Sequence, residues 1–201
     1  MRKLIGGVLF LGLAAWGTFL IWHYYGMQPG KTSEPEGSLL AVFGEAPDFK
    51  FTERSGKTFS KSQLAGGPWI ADFIFTSCAG QCPLMSAQMR ALQDTFPRDS
   101  GVRFVSITVD PERDSPQALS TYADRFGAEK DRWFFLTGPK EEINRVLKSF
   151  FLSGVDDPAM HSTRFILVDG AGKIRGYYDM SEPANVKQLV YDTKLLLENK
   201  G

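Results

Sequence analysis

Trp69-Ile-Ala-Asp-Phe-Ile-Phe75 runs into Thr76-Ser-Cys78-Ala-Gly-Gln-Cys82-Pro83, and the change of pattern between the two segments decides the fold. The first segment is nearly all apolar and of strand length, as expected of a central strand covered on both faces. Pro83 suits a first helical turn, and Leu84, Met85, Met89 and Leu92 then recur at helical spacing until Phe96-Pro97 stops them. A buried strand therefore feeds a helix through a turn that holds both cysteines of the chain.

Working outward, Asp48 to Thr52 alternates at period two, Arg54-Ser-Gly56 is turn chemistry and Lys57 to Phe59 returns, which predicts a hairpin at the start of the domain. After the cysteine helix come a strand over Val102 to Val109 and a helix over Ser115 to Phe126, with Ser115 as N-cap and Pro116 in its first turn. A short strand over Trp133 to Leu136 and a helix over Glu141 to Phe151 follow. Strands over Arg164 to Val168 and Ile174 to Tyr178 flank the turn Asp169-Gly170-Ala-Gly172, and Ala184 to Leu197 closes as a helix. Crossover helices first and a hairpin last predict an α/β fold and are the pattern of a thioredoxin-like mixed sheet flanked by helices, an element order that other α/β sandwiches share.

The N-terminus departs from this pattern. Arg2 and Lys3 precede an uncharged apolar run from Leu4 to Trp22, nineteen residues, enough helix to cross ~30 Å of hydrocarbon. Trp22, Tyr24 and Tyr25 cluster at its far end, where aromatic rings favour the headgroup region. The expectation is one N-terminal transmembrane helix, residues 1–25 acting as a membrane anchor, with residues 26–40 as a flexible tether and 41–201 as the folded domain. A cleaved signal peptide is the competing reading, but its apolar region is shorter, ~7–15 residues. The positive pair at the near end places the domain outside the cytoplasm, here the periplasmic side of a cell inner membrane. The rest of the composition is ordinary for a folded chain: 201 residues, 43% hydrophobic and 23% charged, with 23 basic and 23 acidic residues. A net charge of zero offers no electrostatic footprint for nucleic acid.

Cys78 and Cys82 stand four apart where a strand ends and a helix begins. Helix N-terminal amides favour negative charge, so a thiolate is stabilised there, and spacing of four brings both sulfurs to one face. A structural disulfide closing so small a loop would contribute little, which favours metal binding or redox chemistry. Of the two histidines, His23 ends the apolar run, whereas His161 follows Asp156-Asp-Pro-Ala-Met160 in the loop entering a strand. In a thioredoxin-like sheet that loop approaches the cysteine loop, so Cys78, Cys82 and His161 are the candidate metal ligands. Two thiolates and an imidazole suit Cu(I), can accept Cu(II), and could hold zinc with an open position. Asp110, at a strand end before Pro111-Glu-Arg-Asp114, either organises the turn or stands beside the metal ligands and tunes their charge. Met160 could add a thioether contact, while Met85 and Met89 read as core packing.

Three blocks resemble the Sco/SenC family of copper-handling proteins that assist cytochrome c oxidase assembly. They are Phe73-Ile-Phe-Thr76-Ser-Cys78-Ala-Gly-Gln-Cys82-Pro83, Ser106-Ile-Thr-Val-Asp110-Pro-Glu-Arg-Asp114, and His161-Ser162 before Leu167-Val-Asp-Gly170. The resemblance runs from roughly Pro47 to Leu196. Between the cysteines this chain has Ala79-Gly80-Gln81, where many members carry proline and an acidic residue. It implies a membrane-tethered copper chaperone that binds Cu(I) and Cu(II) through Cys78, Cys82 and His161, with Asp110 close by. The implied partners are subunit II of cytochrome c oxidase, whose dinuclear copper centre would be loaded, and other periplasmic copper chaperones. A second function is thiol-disulfide oxidoreduction, in which Cys78 and Cys82 cycle between dithiol and disulfide. A peroxidase is a third, but it leaves His161 without a role.

Overall fold

The computed structural model describes residues 40–151 and 163–198. The expected membrane anchor, nearly all of the tether, and His161 lie outside them. Among the described residues no helix is long and apolar enough to cross a membrane.

The strands are β1 (Gly44–Glu45), β2 (Lys50–Glu53), β3 (Thr58–Ser60), β4 (Trp69–Ile74), β5 (Arg103–Thr108), β6 (Trp133–Thr137), β7 (Arg164–Val168) and β8 (Lys173–Asp179). The helices are α1 (Gln81–Thr95), α2 (Pro116–Arg125), α3 (Lys140–Phe151) and α4 (Pro183–Glu198). Among the described residues the strands form one sheet in the order β1-β8-β7-β4-β5-β6-β2-β3. β4, β5 and β6 run parallel, and β7 pairs antiparallel to β4 on the other side. This is the expected α/β thioredoxin-like arrangement, a mixed sheet with helices on both faces.

All six residues of β4 are buried, because β4 is central and covered on each side. Alternation along it feeds two apolar layers. Ile70 and Ile74 pack with Met85, Met89 and Leu92 of α1 and Leu119 and Tyr122 of α2. Trp69, Ala71 and Phe73 pack with Ile143, Val146 and Phe150 of α3. The crossovers through α1 and α2 step outward from β4 on one face, and α3 returns across the other to reach β7.

Several local expectations shift. α1 starts at Gln81, two residues before Pro83, so Cys82 lies inside its first turn. Leu84, assigned above to the helix's apolar rows, is 62% exposed, while Met85, Met89 and Leu92 are buried. A helix covering a sheet buries one stripe, and Leu84 falls just off it. Ser115 caps α2 as expected, its hydroxyl accepting from the Ala118 amide at 3.2 Å, with Pro116 opening the helix. The two-residue β1 and the 3₁₀ turn Lys61–Leu64 carry no periodicity of their own. β1 exists by pairing with β8, and the turn by burying Leu64 completely.

Candidate metal centre

β4 delivers Phe75, Thr76 and Ser77 to the surface at the carboxyl end of the parallel strands, and the chain turns through Cys78 into α1. The Cys78 amide donates to the Phe75 carbonyl at 3.2 Å, closing that turn. Gly80 occupies the N-cap position and has no side chain with which to satisfy the first amides of α1. Those orphan donors turn instead to the sulfur of Cys78. Pro83, lacking an N–H, leaves one fewer to satisfy.

The two thiols sit in different environments, Cys78 half-buried and Cys82 buried, and both are free. Partial burial works against ionisation of Cys78. The amides of Cys82, Gly80 and Gln81 and the Cys82 thiol outweigh it, so its pKa lies below the ordinary thiol value. Burial pushes Cys82 up to about 12; hydrogen bonding from the Phe75 backbone opposes the rise, and the neighbouring Cys78 and Asp72 add to it. The half-buried sulfur is therefore the more readily ionised of the two, with a protonated one behind it.

The loop Val109 to Ser115 buttresses the turn. Asp114 is fully buried. Its carboxylate accepts from the Thr76 amide at 3.0 Å and from the hydroxyls of Thr76 and Thr108. The acidic side chain gripping the cysteine segment is thus Asp114. Asp110 serves the loop itself: its carbonyl accepts from the amides of Arg113 and Asp114, and its carboxylate pairs with Arg113 at 3.1 Å. Of the two roles weighed for Asp110, these contacts are those of turn organisation. Asp114 was legible only as part of the motif, and the signal that could have found it is the threonine at the end of each parallel strand, two hydroxyls in need of one acceptor.

Sequence reasoning also passed over Asp72. It is fully buried in β4, and neither oxygen makes a hydrogen bond of ordinary geometry. An acidic residue inside an apolar run was the available signal.

Among the described residues no cluster of three or more His, Cys, Asp or Glu side chains could hold a metal ion. The two sulfurs are a partial donor set, soft and suited to copper, to which a third ligand must come from elsewhere. Met85 and Met89 are both in the core, as expected.

Against known proteins, the SCO1/SenC family model matches residues 42–198. The SCO1 protein homolog of Bacillus subtilis is 35% identical over 157 residues, 75% of this chain and 81% of its own length. Among solved structures, BsSco, a member of the Sco family of cytochrome c oxidase assembly proteins in which a disulfide switch was identified, superposes with a TM-score of 0.70. It is 33% identical, over 80% of this chain and 98% of that one. Arabidopsis thaliana ScoI with copper bound gives a TM-score of 0.62 at 26% identity, over 76% of this chain and 99% of that one. Since the family match takes in every strand and helix from β1 to α4 and both cysteines, this chain belongs to the SCO1/SenC family.

Proposed function

We propose that the protein is a copper chaperone that holds one copper ion between Cys78 and Cys82, with His161 as third ligand, and passes it to the dinuclear copper centre of cytochrome c oxidase subunit II. The observation that carries this is the pair of sulfurs at the start of α1, with three backbone amides turned toward Cys78. Copper bound to the related Arabidopsis ScoI supports the choice of metal. Copper is cargo here. Cys78 is the sulfur available to meet it, and Cys82 completes the chelate on losing its proton, so loading releases protons and weakens as pH falls. Two thiolates favour Cu(I), and an imidazole makes Cu(II) acceptable. The apolar run Leu4 to Trp22 would tether the domain to the inner membrane on its periplasmic side, where copper chaperones and the oxidase subunit are reached.

An anaerobic copper titration of the reduced protein, followed by absorption and EPR, tests this reading. One equivalent should bind, with sulfur-to-copper charge transfer in the Cu(II) form. Cys78→Ser and Cys82→Ser should each abolish tight binding, and His161→Ala should lower affinity and change the Cu(II) spectrum while the Cys78–Cys82 disulfide still forms. Unchanged affinity in both serine variants would place the site elsewhere.

The inequality of the thiols favours a second reading beside the first, thiol-disulfide exchange with a partner's cysteines. A half-buried thiol of lowered pKa followed by a buried protonated one is the order that attack and resolution require. The disulfide switch identified in BsSco supports it.

A further inference from the structure

At the amino end of the parallel strands, the end of the sheet opposite the cysteines, lies a cleft of about 510 Å³. It is bounded by the β2–β3 hairpin, the 3₁₀ turn, α2 and the loop that enters β6. That volume falls within the roughly 300–1,000 Å³ that small-molecule sites occupy. A hollow by itself implies no ligand, but the chemistry of this lining does.

Arg54 follows β2 and runs inward across the Phe135 ring at 5.5 Å, so that only 9% of the residue is exposed. Its Nη2 donates to the Ala128 carbonyl at 3.1 Å, and Nε stands 3.5 Å from Glu53 Oε1. Nη1 has no hydrogen-bond partner. The Asp124 carboxylate pairs with it only at 4.0 Å, from a side chain that is 69% exposed. A guanidinium taken this far out of water with one nitrogen unsatisfied still requires an acceptor oxygen.

The rim adds free positive charge. Lys57 in the hairpin turn and Lys130 before β6 are both exposed, and among the described residues neither ammonium has an ion-pair partner. Two carboxylates share the lining. Glu53 is engaged inward, its Oε2 accepting from the Ser55 amide at 2.7 Å and its Oε1 facing Arg54. Asp131 stays on the rim, in a left-handed backbone conformation with φ of 63°. Three cations therefore face one disengaged carboxylate in this lining. Beside them the half-buried Phe134 packs its ring 4.4 Å from that of Phe59, an apolar wall on which a flat ring can stack.

We infer that this cleft binds a small organic anion, an aromatic ring system carrying a phosphate or carboxylate group. The oxyanion pairs with Lys57 and Lys130, and the ring lies against Phe134. Because Arg54 Nη1 is shielded from solvent, it joins the anion through a small shift of its own side chain. The site is independent of the copper reading, since it shares no residue with the cysteine centre.

The test is isothermal calorimetry on the full chain in neutral detergent, with protein-free micelles as the blank. The probes are 1-naphthyl phosphate and, separately, inorganic phosphate. Naphthyl phosphate should bind saturably, ~10-fold or more tighter than inorganic phosphate, which lacks the ring. The double variant Lys57→Gln/Lys130→Gln should lose ~10-fold in affinity with an unchanged thermal midpoint, because both side chains are exposed. Asp131→Asn removes the opposing charge, and asparagine tolerates the left-handed backbone, so affinity should rise by ~2-fold or more. A residue that only shaped its loop would give no such gain. Arg54→Lys keeps the charge and loses the forked donors, and should bind more weakly; if it does not fold, the lysine and aspartate variants decide. Cys78→Ser should bind the probe as the wild type does, so a failed copper titration would leave this site standing. No saturable heat at millimolar probe, equal affinity for the two phosphates, or unchanged affinity in the double lysine variant overturns the assignment.

Discussion

Two aspartates four residues apart, Asp110 and Asp114, have opposite surroundings. Asp114 has three donors converging on a fully buried carboxylate, so the charge is satisfied and the cysteine segment is pinned to the end of β5. Replacing it with asparagine puts an amide NH₂ where donors already point. Asp114→Asn should cost about 2–4 kcal/mol in urea denaturation and also weaken copper binding, because Thr76 is held only two residues before Cys78. Asp110→Asn removes an ion pair with an exposed arginine and should stay within about 1 kcal/mol of wild type. If the two variants have equal stability, the clamp is not at Asp114. The same scale explains why the two cysteines differ. Helix-start amides reach Cys78, whereas Cys82, one turn on, faces the apolar layer.

Elements meet in this fold through close backbone approach as well as through side chains. The β7–β8 turn is organised by Asp169, whose carboxylate accepts from the Ala171 and Lys173 amides at 2.9 Å and from Arg175 at 2.7 Å. This presents Gly170 to the loop before β4, where the Gly66 amide donates to the Gly170 carbonyl at 2.9 Å. A methyl group at Gly170 would lie 2.9 Å from the Gly66 carbonyl carbon and the Gly67 nitrogen, with no flexible side chain to move aside. Gly170→Ala should therefore destabilise by about 1–3 kcal/mol. For a domain of this size that is a drop of several degrees in thermal midpoint, about 2–4 °C per kcal/mol. An unchanged midpoint would mean that the two loops separate freely. The cysteine site lies at the opposite end of β4, so copper stoichiometry should be unaffected.

For the whole molecule, function depends on where the folded domain is held. The positive pair Arg2-Lys3, the apolar run to Trp22 and the aromatic cluster after it predict a domain on the far side of a membrane from the cytoplasm. Alkaline phosphatase fused after Gly37 should be active, since that enzyme acquires its disulfides only when exported. An inactive fusion at normal abundance would reverse the topology. Retention of residues 1–22 in the mature protein would distinguish an anchor from a cleaved leader. On the proposed function, an exported domain with two free thiols would need partners that keep the pair reduced, which would link copper loading to thiol exchange, because only the dithiol form offers two sulfurs to a metal.

Much of this was legible in the sequence because local patterns report local physics. The apolar run at β4, the helical spacing of Met85, Met89 and Leu92, the Ser115-Pro116 helix start and the strand-to-helix placement of the cysteines each appear in the structure where the pattern put them. Periodicity also conveyed the succession of strands and crossovers, and hence the α/β class, for which the resemblance implied the thioredoxin-like form. What it could not convey depends on which distant element covers a residue. β1 exists only because β8 offers it an edge, and Leu84 is exposed only because the sheet meets α1 along one stripe. Asp114 rather than Asp110 grips the cysteine segment because the ends of β4 and β5 converge on it. Asp72 and Cys82, ten residues apart in the chain, share one dry layer because β4 and α1 fold face to face. Burial and electrostatic coupling are long-range properties of the packed molecule, so tertiary structure alone decided which thiol ionises more readily and which carboxyl grips the cysteine segment.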